Sequence, residues 1–224
     1  MRYSDWEPTY LEILADMGYS REGDESSVRV LKAVTMNCDL IDPDDLIGTF
    51  GDDATVFGDG PCLEDDTVSH PPLGSLFASG SSVRRLLAAG IVPDVVVTDL
   101  DGDVRSQLEA SSRGAVTFIH AHGDNQDAVR EWAGSFVGPV VLTTQSAPER
   151  TVFNFGGFTD GDRAVCIAQE MGCTRILLEG FDFDRPMPKE GTDPETKLRK
   201  LGWARRIISS LDGIDVRMPD GRAP

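Results

Sequence analysis

The chain has 224 residues, 40% of them hydrophobic and 26% charged, with a formal net charge of −17; this is the composition of a soluble globular protein with one sizeable core. So many carboxylates repel nucleic-acid backbones and anionic membranes, no apolar run approaches the roughly 20 residues of a membrane span, and the opening MRYSDWEPTY lacks the basic and apolar regions of a signal peptide, so a cytoplasmic enzyme is expected, with homodimerisation left open. Of the 21 basic residues only Lys32, Lys189, Lys197 and Lys200 are lysines, and abundant Asp and Glu beside scarce Lys suit a halophilic protein kept in solution by high salt, which concerns solvation and not chemistry.

Residues 1 to 47 read as an N-terminal helical segment. Trp6, Tyr10, Ile13, Leu14 and Met17 recur at helical spacing, as do Val28, Leu31, Val34 and Thr35, and nothing there signals a strand. The aromatic stripe reads as core, packed on a main domain that spans residues 48–224. From Gly51 short apolar runs alternate with helical segments, the pattern of βαβ units and a mainly parallel, doubly wound, Rossmann-like α/β sheet. Strands are expected at Ala54–Phe57, Ser75–Ala78, Asp94–Thr98, Ala115–His120, Val140–Thr143 and Arg175–Glu179. Helices are expected at Val83–Ala89, Val104–Ser112, Gln126–Phe136, Asp162–Met171 and Pro194–Leu211. Cys38, Cys62, Cys166 and Cys173 make no C-x-x-C pair and no disulfide framework, and Cys166 and Cys173 read as small core residues of a helix.

Nearly every expected strand ends in Gly, Ser, Asp or His. The third, PDVVVTDLDGD, turns from an apolar β-branched run to Asp99, Asp101 and Asp103; if the extended conformation persists, these carboxylates share a face. In an open parallel sheet ligands bind beyond the carboxyl ends of the strands, and an all-oxygen cluster there suits Mg²⁺ held by one or two carboxylates plus substrate phosphates. The bland alternative is a solvated acidic turn. Ser79-Gly80-Ser81-Ser82 leads into a helix whose N-terminal amides suit phosphate.

Gly58 and Gly60 begin a G-x-G, yet Leu63 stands where a dinucleotide fingerprint needs its third glycine, and there is no G-x-x-x-x-G-K-[ST] phosphate loop. His120-Ala121-His122-Gly123-Asp124-Asn125 resembles the H-x-H-x-D-H zinc motif of metallo-β-lactamase-like hydrolases, but Asn125 replaces the last histidine and only His70, upstream, remains as a further one. DLDGDV also resembles the nucleophile motif of haloacid-dehalogenase-like phosphatases, and GDRAVCIAQEMG faintly resembles their later acidic motif. Here Asp103 occupies the Thr or Val position and two strand-and-loop motifs precede the D-x-D, so that family stands as the alternative.

The ordered set GDGPCLE, ASGSS, PDVVVTDLDGD, HAHGDN, FGGFTDGDRA and EGFDFD, spread over residues 51 to 205, resembles the archaeal 6-hydroxymethyl-7,8-dihydropterin pyrophosphokinases, which are distantly similar in their catalytic half to thiamin pyrophosphokinases. The resemblance implies Mg²⁺-dependent pyrophosphoryl transfer from ATP to the hydroxymethyl group of a reduced pterin, with release of AMP, as in tetrahydromethanopterin or folate-type biosynthesis. A thiamin-type acceptor is not separated from a pterin by any short motif. On this reading Asp99 and Asp101 bind Mg²⁺ with Asp124 as a further ligand, while Gly102 turns Asp103 away. His122 contacts phosphate, assists deprotonation, or is a structural histidine bonded to a carboxylate. Ser79, Gly80, Ser81 and Ser82 receive phosphate, together with Asn125 and Arg163; Gly58, Gly60, Gly156, Gly157, Thr159 and Asp160 shape the nucleotide or pterin pocket. Asp182 and Asp184 are either a reader of the pterin's amino-pyrimidine edge or a solvated turn.

Overall fold

The computed structural model describes residues 2–188 and 193–224 and folds them around one eight-stranded, wholly parallel sheet. β2 (Asp53–Phe57), β3 (Ser75–Ser79), β4 (Val95–Thr98), β5 (Val116–Ala121), β6 (Pro139–Thr144) and β7 (Arg175–Glu179) fall on the expected runs. β1 (Asp39–Leu40) and β8 (Asp215–Arg217) are too short to show any alternation in sequence. β1 corrects the strandless reading of residues 1 to 47, because Asp39 and Leu40 pair with Pro139 and Val140 of β6.

The strand order is β1-β6-β5-β4-β3-β2-β7-β8. From β2 the chain walks outward to β6, then returns to lay β7 on the other side of β2, so the winding reverses between β2 and β7. A crevice for ligands opens beyond the carboxyl ends of strands at such a reversal.

The helices are α1 (Tyr3–Met17), α2 (Arg21–Val34), α3 (Leu63–Ser69), α4 (Val83–Ala88), α5 (Val104–Ser112), α6 (Gln126–Trp132), α7 (Asp160–Glu170) and α8 (Pro194–Ser209). α7 and α8 cover one face of the sheet, over Val56, Phe77, Val95, Val97, Phe118 and Leu178. On the other face Leu63, Val83, Leu86 and Ala110 pack over Phe57, Ala78 and Val96, and Val28, Leu31 and Val129 pack over Ile119, Ala121 and Leu142. A strand covered on both sides needs apolar residues at successive positions, which is why Val95, Val96 and Val97 are all fully buried.

The aromatic stripe of α1 is core, with Trp6, Tyr10 and Ile13 buried against Phe158, Cys166 and Ile207. The helix stops at Gly18, whose φ of 72° lets its N–H reach the Leu14 carbonyl at 2.9 Å. Three local expectations shift. α6 gives way at Ala133–Ser135 to a 3₁₀ turn, Cys173 lies in the turn after α7, and α3 forms where no helix was expected. Among the described residues no helix is long and apolar enough to cross a membrane.

Candidate active site at the strand ends

The loop after β4 is fixed from beneath by Gln107, which is fully buried in α5. Its Nε2 donates to the Asp101 carbonyl at 2.8 Å, and its Oε1 accepts from the Thr98 hydroxyl at 2.9 Å. Thr98 Oγ1 also accepts the Leu100 N–H at 2.8 Å. Leu100 sits at φ 65°, a left-handed conformation that side chains other than glycine adopt at a cost of order 1 kcal/mol or more. The extended backbone therefore ends at Asp99, and the carboxylates do not share a strand face as expected. The turn at Leu100 instead brings Asp99 and Asp101 to one cleft, buries Leu100 in the core, and leaves Asp103 as the N-cap of α5, bonded to the Ser106 hydroxyl at 2.9 Å.

The β5–α6 loop is stapled to this turn by Asn125. Its Nδ2 donates to the carbonyls of Asp99 at 2.8 Å and His120 at 2.7 Å, and its Oδ1 accepts the His122 N–H at 3.0 Å. His122 Nδ1 accepts the Asp124 N–H at 3.3 Å, so the ring proton sits on Nε2, facing Asp99 Oδ2 at 3.3 Å. His120 is a core residue instead, with Nδ1 against the Thr143 hydroxyl at 3.0 Å; burial keeps its imidazole neutral, well below the ordinary pKa. From behind, the buried Asp24 of α2 holds the loop in place, accepting from Gly123 N–H at 2.8 Å, the Tyr10 hydroxyl at 2.6 Å and Gln145 Nε2 at 3.0 Å.

The N-terminus of α7 adjoins the same carboxylates. Thr159 and Asp162 cap it reciprocally, and Asp160, the first helical residue, pairs with the buried Arg163 at 3.0 Å. Burial, then the neighbouring Asp99 and also Asp101, push the Asp160 carboxyl well above its usual range, against the opposing pull of Arg163. Ser79, at the end of β3, lies in the cleft with a buried hydroxyl that has no hydrogen-bond partner among the described residues.

Loops after β2 to β7 and one face of α8 enclose a cavity of about 250 Å³. Of the residues expected at the site, Gly58, Gly60, Ser79, Ser81, Asp99, Asp101, His122, Asp124, Thr159, Asp160 and Asp182 line it. Others act from outside. Gly80 is packed against Thr98, where a Cβ would come within 2.4 Å of Oγ1, and Ser82 is buried and donates to the Ser79 carbonyl at 2.8 Å. Asn125 and Arg163 position their neighbours as described. Gly157, at φ 86°, allows the close approach of Arg163, and the Gly156 N–H donates to Asn154 Oδ1 at 2.8 Å. Asp184 stands outside the cavity, and the Asp182 carboxylate accepts from its N–H at 3.1 Å and from Arg185 Nε at 2.7 Å, closing a turn.

Sequence reasoning missed the apolar half of the cavity: Tyr19, Phe158, Phe181, Phe183, Met187 and Leu201. Single aromatics on separate elements carry no local signal. It also missed Lys197 and Lys200, although their rarity in this chain was a usable one. Among the described residues no three His, Cys, Asp or Glu side chains close on one point as a complete metal cage.

Fold and cleft together define a doubly wound α/β protein with a cavity at its strand ends, lined by carboxylates and aromatic rings, where this fold class binds its ligands. Residues 29–186 match the family model described as 6-hydroxymethylpterin diphosphokinase MptE-like, and the chain belongs to that family. It is 41% identical over 222 residues to a Pyrococcus furiosus protein, covering 94% of either chain. It is 38% identical to one from Methanothermobacter thermautotrophicus, over 97% of this chain and 99% of the relative. A Methanocaldococcus jannaschii protein is 29% identical over 96% of this chain and 98% of its own length. All are named 6-hydroxymethyl-7,8-dihydropterin pyrophosphokinase.

Proposed function

We infer that the chain transfers the diphosphate of ATP to the hydroxymethyl group of 6-hydroxymethyl-7,8-dihydropterin and releases AMP. The observation that carries this reading is the convergence of Asp99, Asp101, Asp160 and the Ser79 hydroxyl on one cavity. These are residues for charge and position, as phosphoryl-group transfer requires.

Mg²⁺ fits the donor set. Asp99 and Asp101 stand close enough to push the Asp160 carboxyl upward, so carboxylates crowd one cleft, and every side-chain donor of the proposed set is a hard oxygen. Asp99 and Asp101 would hold the ion, with Asp124 at the rim and substrate phosphates completing its shell. Bound there, it supplies Lewis-acid neutralisation of charge developing on the phosphate oxygens.

The protein's own residues then orient the reactants. The hydroxyl oxygen forms a bond to the β-phosphorus, the bond from that phosphorus to the oxygen of the α-phosphate breaks, and the hydroxyl proton is released. The loose transition state asks little of a base. With Nδ1 taken by the Asp124 N–H, His122 serves as a donor through Nε2, to Asp99 or to a phosphate oxygen drawn beside it. Ser79 and Ser81 present hydroxyls to the phosphate chain, and the aromatic half of the cavity takes a flat heterocycle.

Incubation with ATP, Mg²⁺ and a panel of hydroxymethyl acceptors, including the dihydropterin and thiamin, tests the reading. AMP should appear in step with a diphosphorylated pterin. ADP would make the protein an ordinary kinase, thiamin diphosphate would move the acceptor, and phosphate released from a monoester without ATP would favour the phosphatase alternative.

A further inference from the structure

α8 begins where Asp193 caps the Thr196 N–H at 2.8 Å and Pro194 takes the first turn. On the face it turns to the cavity stand Lys197, Lys200, Leu201 and Ala204, at helical spacing. Apart from its aromatic half, that cavity is acidic, with Asp59, Asp99, Asp101, Asp124, Asp160 and Asp182 on its wall. Among the described residues that line it, Arg185 alone joins the lysines as a full cation, and it is tied into the Asp182 turn. Two of the four lysines in a chain of net charge −17 therefore face one cavity.

The Lys197 ammonium donates to the Met187 carbonyl at 3.0 Å. The Lys200 ammonium lies 5.7 Å from the ring centres of both Tyr19 and Phe158, held over aromatic faces, with no carboxylate at ion-pair distance among the described residues. An ammonium set over two rings at the cavity wall is a ready contact for an anion that enters it. A nucleoside triphosphate carries roughly four negative charges and one magnesium ion cancels about half of them. The remainder must be met inside a cleft whose other wall is carboxylate, where unscreened like charge is costly.

We propose that Lys200, seconded by Lys197 one turn before it, is the cationic contact for the phosphate chain of the nucleotide, on the wall opposite Asp99 and Asp101. The inference rests on the ATP-dependent reading above. It makes Tyr19 and Phe158 the support that aims the ammonium, and it sets donor specificity, since a nucleotide lacking the outer phosphates loses this contact.

Calorimetric titration with magnesium tripolyphosphate reads the contact without turnover. Wild type and Lys200→Arg should bind it comparably, and Lys200→Gln should bind it at least tenfold more weakly, about 1.4 kcal/mol. The KM for ATP should rise in parallel, while affinity for 6-hydroxymethylpterin and the far-ultraviolet dichroism stay put. Lys197→Gln should give a smaller loss of the same kind. Unaltered tripolyphosphate binding by Lys200→Gln, or a loss confined to the pterin, would overturn the proposal while leaving the ATP-dependent reaction standing. If wild type itself neither binds tripolyphosphate nor releases AMP, the underlying reading falls with it.

Discussion

At the end of β7, Glu179 is fully buried and neither carboxylate oxygen has a hydrogen-bond partner among the described residues. Burial, and then the Asp66 carboxylate, push its pKa up to about 7 from an ordinary 4.5. A group that binds its proton more tightly when folded contributes stability that is complete below about pH 4.5 and is lost as pH rises through about 7. Glu179→Gln, which keeps the shape without the charge, should therefore raise the melting temperature most at pH 8 and least at pH 4.5. An equal effect at both, read by calorimetry, would remove the carboxyl from the pH dependence. Asp101→Asn asks the corresponding question of the cleft. If the carboxylate holds Mg²⁺ against the phosphates, AMP release should fall by orders of magnitude, each tenfold being about 1.4 kcal/mol of barrier, with the melting curve little changed. Wild-type turnover at limiting Mg²⁺ would take Asp101 out of the metal site, and a phosphorylated Asp99 trapped during turnover would replace direct transfer by the phosphatase chemistry.

Between elements, the glycines are decided by what they touch. A Cβ on Gly60 would stand 2.5 Å from the Gly180 carbonyl, to which Gly60 donates its own N–H at 2.7 Å, whereas one on Gly202 in α8 meets nothing within 4 Å. Gly60→Ala should cost about 1–3 kcal/mol and loosen the β2–α3 loop from the end of β7. Gly202→Ala should gain about 0.5–1 kcal/mol, and chemical denaturation of both variants separates the two effects. The same contacts mark how far the sequence could be read. Long apolar runs such as Val95–Val97 exposed the sheet, and polar residues placed directly after them exposed the Asp99, Asp101, His122 and Asp124 wall. The turn at Leu100 was illegible because it depends on Gln107 reaching back from α5. Gly80 and Gly157 looked like ligand glycines, but their partners, Thr98 and Arg163, are visible only once the chain is folded. β1 and β8 draw their pairing from neighbours and not from any pattern of their own.

Over the whole molecule, the net charge of −17 acts against compaction wherever it is unscreened. Its surface ion pairs offset little, since partners such as Arg175 and Asp53 are about half exposed. If the composition is an adaptation to brine, the melting temperature should fall steadily as KCl is lowered from molar to millimolar, and a flat profile would count against it. The strand order has a separate consequence, for the time at which the protein becomes competent. The crevice side of β2 is closed by β7, and the Gly180 N–H that anchors the junction bonds to Asp66, 114 residues earlier in the chain, at 2.9 Å. Such late-arriving partners carry the largest loop-closure cost and form slowly. An emerging polypeptide can thus build β2 to β6 and still have no floor for a ligand until residues beyond 180 have left the ribosome. In refolding experiments, tripolyphosphate binding should lag the recovery of far-ultraviolet ellipticity, making ligand capture a clock for the docking of β7.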